Sequence, residues 1–536
     1  MKTCFVAGFS LLLLLLLLSS LPVLGQSGPT ITGKPVVILD DHHDVSPALR
    51  TIPKFKPARP EPMREFNEEQ ERENNERLAA GIRAATIEDP VVQSMAASSV
   101  AIIPNKNFDG IGNGIVGFST GGAPPDTNGA IGATQYVQSV NASFAVFNKN
   151  TGALLLGPED FRTLYTGFGG LCETNGGSDP VVLYDKLANR WILSILVSSN
   201  AQNFECFAVS TSADATGSYN RYAIPFGGNL NDFPKLGVWP DAYYFSGNEF
   251  DQVNNGGLVD RNFCAINRDA ALIGGALQTI CFKVAVSQTS GAVLPADMDG
   301  STPPAPGEPD FFIGLGRDFA SLLMFKFHVD FSTPSNSTLT GPASIPVAPF
   351  NRLCPGGSCV PQPNTTQLLA SIGDVPNFRV AYRNFGDHET IVLNHSVQAG
   401  TSGGVRWYEL RDPNGAPTIF QQGTFAPDAN WRWMAGLAID KAGDIAVGYS
   451  LSSSTIRPSL AIAARSPSDS LGTLGSEQVM FSGAGSQTPT LSRWGDYSAM
   501  TVDPEDDCTF WYTNEYIPAD GTFNWRTRIV SFSLSG

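Results

Sequence analysis

Residues 492–512 read Ser492-Arg493-Trp494-Gly495-Asp496-Tyr497-Ser498-Ala499-Met500-Thr501-Val502-Asp503, then a polar turn, then Cys508-Thr509-Phe510-Trp511-Tyr512. A polar loop with Trp, Arg and Asp leads into an apolar stretch, a turn and a second apolar stretch. Apolar stretches of this length, bounded by turn residues, are typical of paired β-strands. This unit serves as a template for the rest of the chain.

The template recurs upstream, most clearly at residues 178–193, 231–244 and 431–449. Candidate starts of the unit lie near Asp126, Asp179, Asp232, Asp297, Asp387, Trp431 and Trp494. A long repeat built of strands indicates a propeller blade, because one sheet cannot bury both of its faces and blades must stack around an axis. We predict an all-β fold, a seven-bladed β-propeller over residues 107–536, with six or eight blades as alternatives.

The N-terminal region differs in composition from the repeats. Residues 1–25 contain eight consecutive leucines followed by small residues, which predicts a secretory signal peptide. The apolar run is shorter than the about 20 residues that a membrane span needs. Residues 26–106 are rich in Pro and mixed charge, which predicts a low-order or pro-segment with one helix over residues 65–85. We therefore expect a secreted, extracellular protein with no membrane span.

Of the eight cysteines, seven follow the predicted signal peptide. An oxidising destination favours disulfides, and proximity in the sequence suggests the pairs Cys172–Cys206, Cys264–Cys281 and Cys354–Cys359. Cys508 is left over; it follows Asp506-Asp507 and precedes Thr509-Phe510-Trp511, and we predict a buried strand cysteine and not a reactive thiol. The formal net charge of −16 opposes binding to nucleic acid, since a phosphate backbone needs a basic surface. We expect a monomer.

In a propeller, the loops before the innermost strands converge at one end of the central channel. The acidic residues at or near these starts are therefore the candidate catalytic groups: Asp126, Asp179, Asp232, Asp387, Glu389 and Asp496. A carboxyl pair, one member raised in pKa by burial or by a like charge, is what glycoside cleavage requires.

Cations and aromatic side chains at the same starts are candidates for substrate binding. They are Lys235, Trp431, Arg432, Arg493 and Trp494. Aromatic faces stack on sugar rings, and arginine donates hydrogen bonds to hydroxyls. The alternative for each tryptophan is packing between blades.

Calcium is a further hypothesis, and no other cofactor is expected. Asp297-Met298-Asp299-Gly300 resembles the start of a calcium loop, with Glu308 at the twelfth position. Thr302 stands where the sharp turn needs glycine, so this is not an EF-hand. A calcium site of another shape stays open, and the metal ligands are unknown.

Two outer turns contain a degenerate Ser-x-Asp-x-Gly pattern, each with one extra residue between Asp and Gly. They are Ser212-Ala213-Asp214-Ala215-Thr216-Gly217 and Ser468-Asp469-Ser470-Leu471-Gly472. With these turns the chain resembles the sialidase-like propellers of the BNR, or Asp-box, type. In that superfamily the turns are structural and remote from the channel, so the resemblance implies a fold.

Three phrases, at residues 124–132, 232–241 and 493–498, resemble more closely a family of large secreted, mostly bacterial propeller proteins that carry no assigned activity. The resemblance covers residues 107–536 and implies an extracellular destination. Sialidases use an arginine triad, a Tyr/Glu nucleophile pair and an Asp acid. The resemblance nominates Arg383, Arg432 and Arg493 for the triad.

Two functions follow from these patterns. The first is a secreted propeller that acts on or binds extracellular glycans, as a glycoside hydrolase or lyase that uses carboxylates at the channel mouth. The alternative is a non-catalytic adhesion or binding propeller, stabilised by calcium or not, whose partner is a polysaccharide or a glycoprotein. A close carboxyl pair favours the first, and a shallow aromatic face without such a pair favours the second.

Overall fold

The repeat folds as antiparallel sheets of consecutive strands in a computed structural model of the chain. The structure describes residues 33–56, 64–65, 87–93, 100–115, 118–119, 122–199, 202–252, 257–355, 357–488 and 490–535. The predicted signal peptide over residues 1–25 lies outside these ranges. So does the predicted helix over residues 65–85, apart from Glu65.

The first half of the ring contains four sheets, which we number as blades. Blade 1 comprises Asn128–Ile131, Gln135–Val140, Ser143–Asn148 and Leu154–Asp160; blade 2 comprises Ser178–Asp185, Arg190–Ser198, Asn203–Ser210 and Tyr219–Gly227. Blade 3 comprises Leu230–Val238, Ala242–Phe250, Leu258–Asn267 and Gln278–Ala285; blade 4 comprises Val293–Asp299, Asp310–Leu315, Ser321–His328 and Thr338–Pro346.

The second half contains three more. Blade 5 comprises Val380–Asn384, Glu389–Ala399, Ser402–Arg411 and Thr418–Phe425; blade 6 comprises Trp431–Ile439, Ile445–Ser452, Ser459–Arg465 and Gln478–Phe481. Blade 7 comprises Ala499–Val502, Phe510–Tyr516, Arg526–Leu534 and, as its outer strand, Ile102–Gly112 from the N-terminal side. Short helices at Phe161–Leu164, Gly170–Thr174 and Arg268–Ile273 lie between strands.

The first strands of the blades contact one another in a closed order, and blade 7 meets blade 1. This arrangement is a β-propeller, and the predicted all-β propeller fold is confirmed. The first strands of blades 4 and 5 pair in parallel, with Asp299 opposite Arg383. The outer strand Ile102–Gly112 closes blade 7, so the ring begins before the predicted boundary at residue 107.

Most blade strands are buried on both faces because each sheet packs between two neighbours. Asn203–Ser210 is an example, buried along its whole length. Turns at the far ends of the first strands use acidic side chains as caps: the Ala188 amide donates to Asp185 Oδ1 at 3.0 Å and the Ala442 amide to Asp440 Oδ1 at 2.8 Å. Such caps explain why Asp recurs in these turns.

Two predicted blade starts, Asp387 and Asp297, do not lie where a first strand begins. Asp387 lies in the turn between the first and second strands of blade 5, whose first strand is Val380–Asn384. This strand is short, and Arg379 and Arg383 flank or interrupt its apolar residues, which hides it in the sequence. Asp297 likewise lies within the first strand of blade 4 and not before it.

Part of the segment over residues 26–106, predicted to have low order, forms strands. Val36–Leu39 adds to the outer edge of blade 3 and His42–Val45 to that of blade 2. Arg221 holds this segment by donating from Nη2 to Asp44 Oδ2 at 2.6 Å. Val92–Gln93 pairs with the outer strand of blade 5. Covering these outer edges removes unpaired backbone groups.

The three predicted disulfides are present: Cys172–Cys206, Cys264–Cys281 and Cys354–Cys359. Cys508 is a free thiol, but it is half-buried in a turn and not in a strand, where its amide donates to Asp506 Oδ1. Among the described residues, no helix has the length and apolar character that a membrane crossing requires.

Candidate functional site

Five blades have a non-glycine residue in the left-handed backbone region just before their first strand or within its first four residues. They are Asp126 (φ 49°), Asp179 (55°), Phe233 (55°), Met434 (49°) and Asp496 (57°). Asp tolerates this conformation, whereas for Phe and Met it costs about 1–2 kcal/mol. In blades 2, 3 and 6 the strand register also shifts here, as it does at a β-bulge. Bulges re-aim side chains and concentrate near functional sites.

Four side chains from three blades meet at this end of the ring: Asp179 of blade 2, Phe233 and Lys235 of blade 3, and Tyr497 before blade 7. We call them the axial cluster. The Tyr497 hydroxyl donates to Asp179 Oδ2 at 2.5 Å. The Phe233 and Tyr497 rings meet edge to face, with centroids 5.4 Å apart. Since blades 3 and 7 are not neighbours, the cluster lies across the axis.

The Lys235 ammonium lies between the two rings. Its nitrogen is 3.2 Å from the Phe233 centroid and 3.8 Å from that of Tyr497, and it donates to the Pro234 carbonyl at 3.1 Å. Lys235 and Tyr497 are each 1% exposed, and Asp179 is 3% exposed. Cation–π contacts strengthen when desolvated, so the rings stabilise a buried positive charge beside the Asp179 carboxylate.

A second carboxyl group, that of Glu205, lies behind Asp179 in blade 2. Burial raises the pKa of Glu205 to about 8, the Asp179 charge adds to the rise, and the Ser194 hydroxyl and Lys235 oppose it. Ser194 donates to Glu205 Oε1, whereas Oε2 has no partner among the described residues. We did not single out Glu205 from the sequence. Its signal was a charge within the apolar run Phe204-Glu205-Cys206-Phe207.

Blade 7 and the loop before it also contribute a buried carboxyl group, that of Glu515, together with an ion pair. Arg493 forms an ion pair with Asp496, and the Gly495 amide donates to Glu515 Oε2 at 2.9 Å. Burial raises the pKa of Glu515 well above its usual value. The Asp126 amide donates to the Gly495 carbonyl at 3.1 Å, which joins blade 1 to this group. Glu515, like Glu205, is a charged residue inside a buried strand that we did not predict.

Four of the six predicted catalytic acids lie at this end of the ring and are buried: Asp126, Asp179, Asp232 and Asp496. So are two of the predicted binding residues, Lys235 and Arg493. Asp232 precedes Phe233 and lies opposite Asn248 in the sheet of blade 3. The structure therefore brings together most of the acids that the repeat starts predicted.

Three predicted binding residues do not join the axial cluster: Trp431, Arg432 and Trp494. The Arg432 guanidinium is held within blade 6 by Glu477 at 2.7 Å and Asp428 at 2.9 Å. Trp494 is buried, donates to Ser450 Oγ at 3.0 Å and packs on Trp433. Trp431 is half-buried against an apolar cluster. These placements fit packing between blades.

Asp387 and Glu389 lie at the opposite end of blade 5. Asp387 is exposed and contacts His388 Nδ1 at 2.7 Å. Glu389 accepts a hydrogen bond from the Tyr382 hydroxyl at 2.9 Å. Burial and the neighbouring Glu389 charge raise the pKa of Glu308 to about 7. Neither predicted acid joins the axial cluster.

Asp297 and Asp299, the acids of the stretch that resembles the start of a calcium loop, belong to an ionic group at the far ends of the first strands. We call it the arginine cluster: Arg379, Asp297, Asp299 and Lys186. Arg379 bonds Asp297 at 2.8 Å and Asp299 at 2.5 Å, and Lys186 bonds Asp299. Within the described ranges, no three His, Cys, Asp or Glu residues form a group that could hold a metal ion. Calcium binding stays a prediction.

Comparisons with known proteins give low similarity. No family model and no curated protein match the sequence. Among solved structures, the N-terminal domain of Nup159 is similar with a TM-score of 0.36 and 8% identity, over 84% of this chain and all of that one. Hadza microbial sialidase Hz136 has a TM-score of 0.31 and 11% identity over 76% and 74%. The GH43 endo-arabinanase from Bacillus licheniformis has 0.27 and 11% over 66% and 97%. The fold assignment rests on strand order.

Proposed function

We propose that this protein is an extracellular β-propeller that acts on glycans at the axial cluster, by glycoside hydrolysis. One observation carries the proposal. Asp179 accepts the Tyr497 hydroxyl at 2.5 Å, while burial and the Asp179 charge raise the pKa of the adjacent Glu205 to about 8. A carboxyl group that keeps its proton at neutral pH, close to a second carboxyl group, is the arrangement that acid–base cleavage of a glycosidic bond uses.

Each group then has a distinct role. Glu205 holds a proton at neutral pH and would donate it to the departing oxygen. The Asp179 carboxylate would act as the base and take the proton of the Tyr497 hydroxyl as that oxygen attacks the anomeric carbon. Water, deprotonated by Glu205, would then release the sugar from Tyr497, which would recover its proton from Asp179. Lys235, within 3.8 Å of the Tyr497 ring, would stabilise negative charge that develops on that hydroxyl.

The extracellular location rests on two supports. The apolar N-terminal run is typical of a secretory signal, and the described residues contain three disulfides, which persist in oxidising compartments.

Glycan binding without cleavage is the second candidate. The observation that favours it is the burial of every group in the axial cluster, since hydrolysis needs the carboxyl groups to reach the sugar. A binding protein needs only the aromatic and polar side chains at the rim of the ring.

A panel of neutral, basic and acidic polysaccharides tests both candidates. We would measure released reducing ends and retention on each insoluble polymer. Release that is lost in Asp179→Asn and Glu205→Gln, but kept in Asp269→Asn, supports hydrolysis. Asp269 is an exposed acid on the helix Arg268–Ile273, at the other end of blade 3. Retention without release supports binding alone. If no polymer is either cleaved or retained, the glycan proposal is overturned.

A further inference from the structure

A cavity of about 470 Å³ lies in the outer part of blade 2, apart from the axial cluster. Its apolar side contains Phe168 and Phe204. Its rim contains three exposed polar residues, Asp41, His42 and Gln202. Cavities of about 300–1,000 Å³ with an apolar lining and a few polar groups are typical binding sites for small ligands. Blade 2 therefore contains a candidate site that the axial cluster does not use.

The cavity lies toward the same end of the ring as the axial cluster. Phe204 is opposite Val197 in the sheet, and the neighbouring Leu196 is opposite Ser178, the residue before Asp179. Phe204 belongs to the third strand of blade 2, which lies about 10 Å outward from the first strand at the usual spacing of neighbouring strands. The cavity is therefore a separate site at the axial end.

Two segments that are distant in sequence form the walls, and Arg221 holds them together. Its guanidinium donates to Asp44 Oδ1 at 2.8 Å and Oδ2 at 2.6 Å, on the same N-terminal strand as His42. It also donates to the Leu164 carbonyl at 2.8 Å, in the segment before Phe168. Because Arg221 is only 2% exposed, these charge-assisted hydrogen bonds fix both walls in place.

The rim beside Phe168 consists of the backbone of Gly169 and Gly170, which leaves the cavity open. Both glycines have positive φ, 82° and 66°, and a Cβ at either position would have no described neighbour within 4 Å. The Glu173 carboxylate accepts a hydrogen bond from the Gly169 amide at 2.6 Å, and the disulfide Cys172–Cys206 ties the following turn to the sheet. A preformed cavity reduces the entropy lost on binding.

The side chains at the cavity match an uncharged sugar unit. The His42 and Phe168 rings lie against each other with centroids 4.6 Å apart, so they offer an apolar surface to the C–H face of a sugar. The Asp41 carboxylate accepts hydrogen bonds, and the Gln202 amide both donates and accepts them, as sugar hydroxyls require. Among the described residues that line the cavity none is lysine or arginine, so an anionic group would lack a cationic partner.

We infer that this cavity is a second glycan-binding site, which takes an uncharged sugar unit and needs the N-terminal strand His42–Val45 as one wall. An aromatic side chain of a protein partner would cover the rings but leave Asp41 and Gln202 without hydrogen-bond partners. The inference rests on the proposed function in taking the ligand to be a glycan, but it uses no residue of the axial cluster. An open cavity holds one unit weakly, so retention of a polymer still depends on the axial cluster.

Soluble probes test the inference on the full chain. They are cellotetraose, xylotetraose and mannotetraose, with tetragalacturonic acid and the amide of N-acetyltyrosine for comparison. Saturation-transfer NMR measures the affinity of each. We expect at least one neutral tetrasaccharide to bind, and tetragalacturonic acid to bind about tenfold more weakly, because Asp41 repels its carboxylates. Binding of the tyrosine derivative without binding of any neutral tetrasaccharide would assign the cavity to a protein partner and overturn the inference.

Two variants locate the bound sugar. His42→Ala and Gln202→Ala should each weaken binding about fivefold, as expected for the loss of one contact of about 1 kcal/mol. Both residues are exposed, and circular dichroism checks that the variants fold. The matched control is His388→Ala, since the His388 ring also stacks on a phenylalanine, Phe385, with centroids 4.8 Å apart, but at the opposite end of blade 5. Equal affinity in wild type, His42→Ala and Gln202→Ala would overturn the inference.

Asp179→Asn distinguishes the inference from the proposed function. This variant should lose cleavage of the polysaccharide panel and keep the tetrasaccharide binding that depends on His42. Glu205→Gln repeats the comparison if Asp179→Asn does not fold. Binding that is lost in these variants but kept in His42→Ala would place the sugar at the axial cluster and overturn the inference alone. If no tetrasaccharide binds, the inference fails, and the polysaccharide panel decides the proposed function separately.

Discussion

Acidic residues occur at both ends of the first strands, and the two ends use them differently. In the arginine cluster, Asp297 and Asp299 share the Arg379 guanidinium, so their charges are compensated within the fold. At the axial end, Asp179 accepts a hydrogen bond from a tyrosine hydroxyl, and Glu205 and Glu515, close to the axial cluster, each retain a buried oxygen without a described partner. The comparison teaches that the same residue type serves ion pairs within the fold at one end and a hydrogen-bonded carboxyl cluster at the other.

The largest expected effect lies in the arginine cluster. Arg379→Ala leaves the buried Asp297 without its ion-pair partner and Asp299 with Lys186 alone, which should lower the free energy of unfolding by about 3–5 kcal/mol. Urea unfolding followed by tryptophan fluorescence measures the change. The control is Arg457→Ala, which breaks a largely exposed pair with Asp520 and should cost at most about 1 kcal/mol. Equal costs in the two variants would remove the distinction between the clusters.

A smaller effect on stability, but a large one on activity, is expected at Tyr497. Tyr497→Phe leaves Asp179 without its hydroxyl donor and should cost about 1–3 kcal/mol. Reducing-end release and glycan retention should fall sharply. Tyr382→Phe is the matched control, because it also removes a tyrosine–carboxylate bond, that with Glu389 at 2.9 Å, but at the other end of the ring. If both variants keep full activity, the axial cluster is not the site.

Glu205 and Asp299, which lie at opposite ends of the first strands, should also make stability respond to pH in opposite directions. Burial raises the pKa of Glu205 from 4.5 to about 8, so the folded state binds its proton more tightly and stability falls as pH rises through this range. Burial alone would raise the pKa of Asp299, but Arg379 and Lys186 hold it at about 2. Stability therefore falls as pH drops from 3.8 to 2.

Thermal unfolding from pH 2 to 9 measures both slopes. Glu205→Gln should flatten the loss from about pH 4.5 to 8, of which only the part above pH 7 is free of the Glu308 contribution, and leave the slope below pH 4 unchanged. Glu308→Gln, at the other end of the ring, should flatten only the part below about pH 7, because the pKa of Glu308 is raised to about 7. An unaltered upper slope in Glu205→Gln would show that this carboxyl is ionised in the folded protein.

The smallest effect is expected from metal removal. EDTA or added Ca²⁺ should leave the melting temperature unchanged, because Arg379 already compensates Asp297 and Asp299. A ligand that binds only the folded state raises stability with its concentration. A rise with added Ca²⁺ would revive the calcium hypothesis, and its loss in Asp299→Asn would place the ion at the arginine cluster.

Much of the fold could be predicted because the strand template repeats. Alternating apolar stretches, turn residues and the cysteine spacings led to an all-β propeller with three disulfides. The first strand of blade 5 was missed, because Arg379 and Arg383 interrupt the apolar pattern that identifies a strand. The strands at Val36–Leu39 and His42–Val45 were missed because their partners lie far away in sequence.

The candidate site was predictable only in part. Loops before the first strands must converge in a propeller, so Asp126, Asp179 and Asp496 could be grouped from the sequence. Arg432 and Trp494 also lie at predicted blade starts. In the structure, however, the Arg432 guanidinium pairs with Glu477 and the Trp494 indole donates to Ser450. The direction of a side chain depends on backbone twist and bulges, which a repeat pattern does not encode.

The sequence by itself determined the strand repeat, the acidic character and the cysteine pairs, because these depend on local spacing and composition. The tertiary structure decided which charges are compensated. Asp179 and Tyr497 are 318 residues apart, and only ring closure brings the hydroxyl to the carboxylate. Burial then sets the protonation of Glu205, because desolvation depends on what packs around a group and not on its neighbours in the chain.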